Sequence, residues 1–342
     1  MKRITLTAPT GKCEILVGER LANVSRHMDA EKAVIVTDRN VRRIHGGAFP
    51  PYDVIEIGTG ERCKTRTTVD RLYKRFLELG LERSSFVLGI GGGVVCDVAG
   101  YAATDYLRGV DFGFVPTTLL AQVDAAIGGK NGVNFMGYKN LVGAIRQPRF
   151  CICDPAMLET LPPQERRNGF SEVIKYAAIA DASLLQFLEA SVEKALRLDD
   201  AVMDRIIHAC IAVKVALVEK DEREKGDRTT LNFGHTIGHA LEKTTRLRHG
   251  EAVAVGMMAA TRLSVAKGML ENVDAEWLRN VIKAFGLPTE CRMDREAMVD
   301  AIGKDKKRHG GSIRMVLLEG IGNARITELD IDEIAMALGD MR

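Results

Sequence analysis

The chain has 342 residues, 46% of them hydrophobic and 27% charged, with a formal net charge of +2. That length exceeds what one hydrophobic core usually supports, so two domains are expected, and the balanced composition excludes a disordered chain and a nucleic-acid binder built on a basic surface. No run of eighteen apolar residues occurs, no signal-peptide stretch opens the chain, and seven cysteines lack any C-x-x-C pair, which points to a cytoplasmic protein with reduced thiols and no membrane partner.

Residues 1–6 alternate as a strand does. The apolar runs 33–36, 54–57, 86–90, 112–115 and 150–153 follow, separated by helical stretches, the pattern of a parallel α/β sheet. Cys151 and Cys153 are placed in a buried strand. After Asp154-Pro155 the strand signals nearly vanish, and 201–220, 230–243 and 251–267 carry helical periodicity. Residues 312–318 and 323–326, separated by Glu319-Gly320-Ile321-Gly322, read as a small hairpin before a last helix from Ile331. The expected fold is therefore an α/β N-terminal domain with a parallel, Rossmann-like sheet over 1–158, followed by a mainly α-helical C-terminal domain over 159–342. The boundary falls near 155–163, and the default active site is the cleft between the two.

The run 86–90 enters Gly91-Gly92-Gly93 and then a helix containing Asp97. Bare backbone there admits a pyrophosphate, with helix N–H groups facing it. Val94 and Cys96 break the G-x-G-x-x-G pattern, so a structural tight turn is the competing reading. Asp38, at the end of an earlier strand, is either an acceptor for ribose hydroxyls or an ordinary strand-end turn residue. Next, 116–140 packs Thr117, Thr118, Asp124, Gly128-Gly129-Lys130 and Lys139-Asn140 after a strand, a loop suited to polar ligands. Lys130 behind two glycines resembles a phosphate clamp without the Walker spacing.

In the second half, Glu172 and Lys175 lie one helical turn apart within an apolar segment, so the carboxylate needs a partner. Arg228, Asn232 and His235 follow at spacings of four and three, which on one helix would line one face, and Lys214 adds a cation. Three of the seven histidines fall within fifteen residues, in Asn232-Phe233-Gly234-His235-Thr236-Ile237-Gly238-His239 and Arg248-His249-Gly250-Glu251. A lone histidine on an apolar helix is usually a satisfied core residue, but three together flanked by glycines suggest a metal. The spacing of four puts His235 and His239 on one helix face, His249 follows a short polar break, and one carboxylate such as Glu172 would complete the site.

Together these stretches resemble the 3-dehydroquinate synthase family, within the sugar phosphate cyclases and the superfamily of glycerol and iron-dependent alcohol dehydrogenases. The resemblance begins with Gly60-Glu61-Arg62-Cys63-Lys64 and Gly91 to Gly100, and continues through Tyr106-Leu107-Arg108-Gly109 and Pro116 to Lys130. It then takes in Glu172 to Tyr176, Lys214, Asp221 to Glu224, Arg228, the histidine motifs and Asp305-Lys306-Lys307. It implies a zinc or cobalt ion held by Glu172, His235 and His249, with His239 facing the substrate instead of the metal. For NAD it implies Asp38, Glu61, Lys64, Gly91, Gly92, Gly93, Asp97, Thr117, Thr118, Asp124, Lys130, Lys139 and Thr160. For the substrate carboxylate it implies Lys214 and Arg228. For phosphate, hydroxyls and catalysis it implies Asp124, Lys130, Asn140, Lys175, Glu224, Asn232, His239 and a late lysine, Lys306 or Lys307. Arg108 would reach across a homodimer interface. Departures are Thr59 before Gly-Glu, Asn131-Gly132 after Lys130 and a short segment between His239 and His249; none removes a reactive group.

The implied reaction is conversion of 3-deoxy-D-arabino-heptulosonate 7-phosphate to 3-dehydroquinate and phosphate, in the shikimate pathway of aromatic amino acid biosynthesis. Transient oxidation by NAD acidifies a neighbouring carbon, phosphate leaves by β-elimination, the hydride returns, and ring opening with aldol closure completes the carbocycle. Clustered cations would stabilise the phosphate dianion. The alternatives are another sugar phosphate cyclase, a metal-dependent polyol dehydrogenase, and a non-catalytic phosphate-binding protein.

Overall fold

The computed structural model describes residues 1–306 and 312–339, the side chains of 295, 304–306 and 336–339 excepted. Two compact units divide the chain: Met1–Pro162 with Met203–Arg223, and Pro163–Val202 with Glu224–Arg342. The second half of the sequence thus lends one stretch to the first unit.

In chain order the first part runs β1 (Lys2–Ala8), β2 (Gly11–Val17), β3 (Ala33–Asp38), α1 (Arg39–His45), β4 (Asp53–Ile57), α2 (Arg66–Glu78), β5 (Phe86–Gly91), α3 (Gly93–Asp105), β6 (Asp111–Pro116), β7 (Lys130–Phe135), β8 (Tyr138–Ile145) and β9 (Phe150–Cys153). A seven-stranded sheet has the order β1-β2-β9-β6-β5-β3-β4. Its pairs are parallel except β1 with β2, so the sheet is dominated by parallel strands, as expected. Phe86, Val87, Leu88 and Ile90 of β5 are all buried, which a central parallel strand covered on both faces requires. Helix α2 starts where the Thr65 hydroxyl accepts the Thr68 N–H at 3.3 Å, and buries Val69, Leu72 and Phe76 on one stripe. Cys151 and Cys153 are buried in β9, and all seven cysteines are free thiols.

The stretch 116–140 reads from sequence as one polar loop, but from Lys130 onward the chain forms instead the antiparallel ribbon β7-β8. Gly132 and Gly143 face each other, and a Cβ on Gly143 would stand 2.2 Å from the Asn131 carbonyl oxygen. Those glycines look like loop signals in sequence but are what the close backbone approach demands.

Beyond β9 the chain is helical: α4 (Pro163–Ala180), α5 (Ala182–Leu196), α6 (Asp200–Lys220), α7 (His235–Thr244), α8 (His249–Ala266), α9 (Asn272–Ala284) and α10 (Arg295–Lys306). The hairpin of β10 (Ser312–Gly320) and β11 (Asn323–Asp330) and a last helix, α11 (Ile331–Gly339), follow as the sequence predicts. Most of α6 belongs to the first unit, where Asp204 pairs with Lys2 at 2.7 Å and Glu219 accepts the Thr7 N–H at 2.8 Å. In the second unit α8 is buried almost all round, from Ala252 to Ala260 without interruption, the mark of a core helix. Among the described residues no helix is long and apolar enough to cross a membrane.

The continuous helix expected over 230–243 is broken. Residues Asp227–Asn232 form a 3-10 turn, Gly234 takes φ +78°, and α7 begins at His235. Gly234 passes so close to α8 that a Cβ there would meet Met257 Cγ at 2.6 Å and the Val253 oxygen at 2.8 Å. Only glycine satisfies both the left-handed backbone and the contact. The expectation that Arg228, Asn232 and His235 line one helix face is therefore corrected: the first two belong to the turn.

Candidate active site

In the second unit, α4, α7 and α8 bring three distant stretches together. Glu172 comes from the middle of α4 and is 1% exposed. His235 is the first residue of α7, and His249 the first of α8. The Nε2 atoms of His235 and His249 stand 3.4 and 3.5 Å from Glu172 Oε1. His239 shares the α7 face with His235, its ring centroid 5.3 Å away. The ligand atoms that gather within 4.8 Å of one another are those of Glu172, His235 and His249, and separately those of His239, Glu242 and His249.

The electrostatics of this cluster are those of a buried anion facing an ammonium and two imidazoles. Burial alone pushes the Glu172 carboxyl up, but the Lys175 ammonium and the two imidazoles outweigh it and hold it well below the usual carboxylate range. Lys175, also buried, pairs with Glu172 and lies 4.9 Å from the centre of the Tyr176 ring. His249 loses basicity through burial but gains more from Glu172 and Glu242, and is pushed up to about 9. Both Glu172 oxygens are buried without a donor in hydrogen-bonding geometry. One ionised carboxylate facing two imidazole nitrogens is a donor set that fits a divalent zinc-like cation.

The first unit gathers the other predicted groups at the carboxyl edge of its parallel strands. Register pairs Thr37 with Ile90, Asp38 with Ile57 and Gly91 with Pro116, so Asp38, Gly91 to Gly93 and Thr117-Thr118 leave the sheet on one side. Asp38 caps α1, accepting the Asn40 N–H at 2.8 Å and the Val41 N–H at 3.1 Å. Gly92 is the N-cap of α3, and a Cβ there would come within 3.1 Å of Thr118 Cγ2. This bare, amide-rich turn fits a pyrophosphate. Lys64 is buried, pairs with Asp97 and donates to Asn140 Oδ1 at 2.5 Å, while Asn134 Nδ2 donates to Glu61 at 2.7 Å. Burial raises the Asp97 carboxyl despite the opposing Lys64 charge. Asp124 lies in a π-helical turn, Ala121–Ala125, a form enriched at functional sites. It pairs with the Lys214 ammonium, which also donates to its main-chain oxygen at 2.5 Å.

The remaining predicted residues are more scattered. Lys130 opens β7, and Lys139 is exposed on β8. The Thr160 hydroxyl meets His45 Nε2 at 2.9 Å. In the second unit Arg228 is 2% exposed, and Asn232 donates to Glu224, whose φ is +58°. Arg108 is exposed, and with Leu107 forms two consecutive non-glycine residues at positive φ, +66° and +51°, a strained pair of the kind found at functional positions. Lys306 ends α10, but its side chain, and all of Lys307, lie outside the described residues. Sequence reasoning missed Glu242, although its place three residues after His239 and seven after His235 puts all three on one helix face.

Solved structures of similar fold include a 2-deoxy-scyllo-inosose synthase complexed with carbaglucose-6-phosphate, NAD+ and Co2+. The TM-score is 0.89 at 27% identity, covering 100% of both chains. The 2-epi-5-epi-valiolone synthase of Streptomyces hygroscopicus, with NAD+ and Zn2+ bound, also scores 0.89 at 27% identity over 96% of each chain. A probable glycerol dehydrogenase from Sinorhizobium meliloti shares the fold, with a TM-score of 0.71 at 16% identity over 98% of each chain. The fold is thus that of sugar phosphate cyclases and their dehydrogenase-like kin. Residues 54–168 match the 3-dehydroquinate synthase N-terminal family, and 169–308 its C-terminal counterpart. A 3-dehydroquinate synthase from Nostoc punctiforme is 46% identical over 82% of this chain and 80% of that protein, and one from Caulobacter vibrioides 40% identical over 93% and 90%. The chain belongs to the 3-dehydroquinate synthase family.

Proposed function

We propose that the chain is a 3-dehydroquinate synthase: a phosphate-eliminating carbon–oxygen lyase that cyclises 3-deoxy-D-arabino-heptulosonate 7-phosphate to 3-dehydroquinate, on the route to chorismate. The observation that carries the reading is the convergence of Glu172, His235 and His249 in a chain whose 3-dehydroquinate synthase relatives reach 46% identity. In this reading residues 1–158 supply most of the NAD site, and 159–342 the metal set and most of the substrate site. Glu172, His235 and His249 hold one zinc or cobalt ion. When bound, that ion supplies Lewis-acid polarisation of substrate hydroxyls, and NAD supplies a reversible hydride acceptor.

The chain's own groups do the rest. Glu61, Lys64 and Asp97, with Asp38, Thr117, Thr118, Lys139 and Thr160 around the Gly91 to Gly93 turn, orient the dinucleotide. Lys214 and Arg228 receive the substrate carboxylate, and Asp124 holds the Lys214 ammonium until then. Lys130, Asn140, Asn232, His239 and Lys306 receive phosphate and hydroxyls, with Glu224 fixing the Asn232 amide. Lys175 keeps Glu172 ionised. The strained Arg108 turn is assigned to reach a second subunit of a homodimer, and seven free thiols suit the cytoplasm.

The test is a phosphate-release assay on the heptulosonate phosphate with and without chelator and added NAD. Phosphate should appear only with metal and NAD, with no net NADH absorbance accumulating. Activity confined to a sugar phosphate lacking a carboxylate would reassign the substrate, and steady NADH formation from a polyol would reassign the reaction.

A further inference from the structure

The two imidazoles beside Glu172 are each tethered at the far side of the ring. His235 Nδ1 lies 3.2 Å from the Phe233 carbonyl oxygen, an acceptor that fixes a proton on Nδ1 and turns Nε2 toward Glu172. Among the described residues no carbonyl takes that role for His249. Its Nδ1 stands 3.4 Å from Glu242 Oε1 instead, while its Nε2 faces Glu172 at 3.5 Å.

The backbone of His249 is fixed independently. Glu251 accepts the Arg248 N–H at 2.9 Å, Asn168 Oδ1 accepts the Gly250 N–H at 3.1 Å, and Arg248 reaches Glu165 at 2.9 Å. A Cβ on Gly250 would press to 2.6 Å of Asn168 Cα, so α8 starts hard against α4. What these contacts leave undetermined is rotation of the imidazole about its own side-chain bonds, and Glu242 is the group placed to settle it. Glu242 is 12% exposed in its side chain and sits on the α7 face that carries His235 and His239.

We propose that Glu242 is a positioning residue: its carboxylate accepts the Nδ1–H of His249, selects that tautomer, and aims Nε2 at the ion beside Glu172. This rests on the reading of Glu172, His235 and His249 as the metal set. It goes beyond that reading by giving one ligand a charged support and the other a neutral one. A carboxylate behind an imidazole raises its basicity as a ligand, and losing such a support typically weakens metal binding about tenfold to a hundredfold. The competing geometry is the second gathering of His239, Glu242 and His249, in which Glu242 would itself be a ligand.

The experiment titrates Co2+ into metal-free protein, following its visible absorption and displacement by Zn2+. Glu242→Gln should still take one ion, bind it about tenfold or more weakly, and show an altered Co2+ spectrum. The phosphate-release kcat should fall while KM for the sugar phosphate stays put, and Glu242→Asp should recover part of the loss. Wild-type affinity and spectrum in Glu242→Gln would overturn the proposal. So would loss of the ion as complete as in Glu172→Gln, since that makes Glu242 a ligand. Nitrogen NMR of the histidine-labelled, zinc-loaded wild type needs no variant: His249 should carry a proton on Nδ1 and metal on Nε2, and metal on Nδ1 would refute the assignment. Undiminished Co2+ affinity in His249→Ala would instead bring down the metal reading itself.

Discussion

Lys175 and Glu172, three residues apart on α4, form an ion pair in which the side chains are only 2% and 1% exposed. A buried pair of this kind is expensive to break from one side, because the charge left behind stays desolvated. Lys175→Met should therefore destabilise the metal-free protein by roughly 3–5 kcal/mol. Zn2+ should recover much of that loss by supplying positive charge at the same carboxylate. Denaturant unfolding of both proteins, with chelator and with Zn2+, checks this; an equal deficit in the two conditions would show that the metal does not sit at Glu172.

The protonation of His249 gives a pH dependence with a definite sign. In the metal-free protein its pKa rises from an ordinary 6.5 to about 9. A base whose pKa is higher when folded contributes stability that is fully present below the unfolded value and disappears as pH climbs through the folded one. Chelated protein should thus lose stability between about pH 6.5 and 9 from this group. Over the same window metal affinity should rise, because the ion displaces that proton. Metal titrations at several pH values measure it, and an affinity flat across the window contradicts it.

Helices α7 and α8 approach at glycine. A Cβ on Gly256 would fall 2.0 Å from the Gly234 oxygen and 2.9 Å from the Gly238 nitrogen. Gly256→Ala touches no reactive group, yet it must push α7, which carries His235, away from α8, which carries His249. The expected result is a loss of roughly 1–3 kcal/mol, as for overpacked cores, together with weaker Co2+ binding. A variant that unfolds earlier but binds Co2+ as the wild type does would separate the packing from the site.

In the first unit Lys214 is buried and held by Asp124. Lys214→Met leaves Asp124 without that cation and removes a charge assigned to the substrate carboxylate. Steady-state phosphate release should show kcat/KM reduced by roughly 2–5 kcal/mol of lost charge pairing, while Co2+ affinity is untouched. An unchanged kcat/KM would remove Lys214 from the substrate site.

Local signals carried far in this chain. The strands of the seven-stranded sheet other than β2, the terminal hairpin and the start of α11 were legible because each is a short apolar or alternating run bounded by turn residues, while β2 was not read. The ribbon β7-β8 was not, since Gly132 and Gly143 mark tight backbone approach and loop alike. Spacing placed His235 and His239 on one face, but the role of Gly234 as a break depends on Met257 and Val253, which only tertiary contact supplies. The grouping of Glu172 with His235 and His249 was legible, because a carboxylate in an apolar helix needs a partner and clustered imidazoles offer a shared cation. Glu242 lies on the same periodicity, three residues after His239, but a glutamate on a helix usually faces water, so its type alone carries no signal.

The stretch Met203–Arg223 packs with the first unit although it is translated after forty residues of the second. A nascent chain therefore cannot finish that unit when Pro162 leaves the ribosome: Lys2, Thr7, Thr10 and Asp124 wait for Asp204, Glu219, Glu222 and Lys214. Any attempt to express the cofactor-side half by truncation must carry this helix along, supplied in trans or grafted by a linker after Pro162, or it will yield an incomplete and sticky fragment.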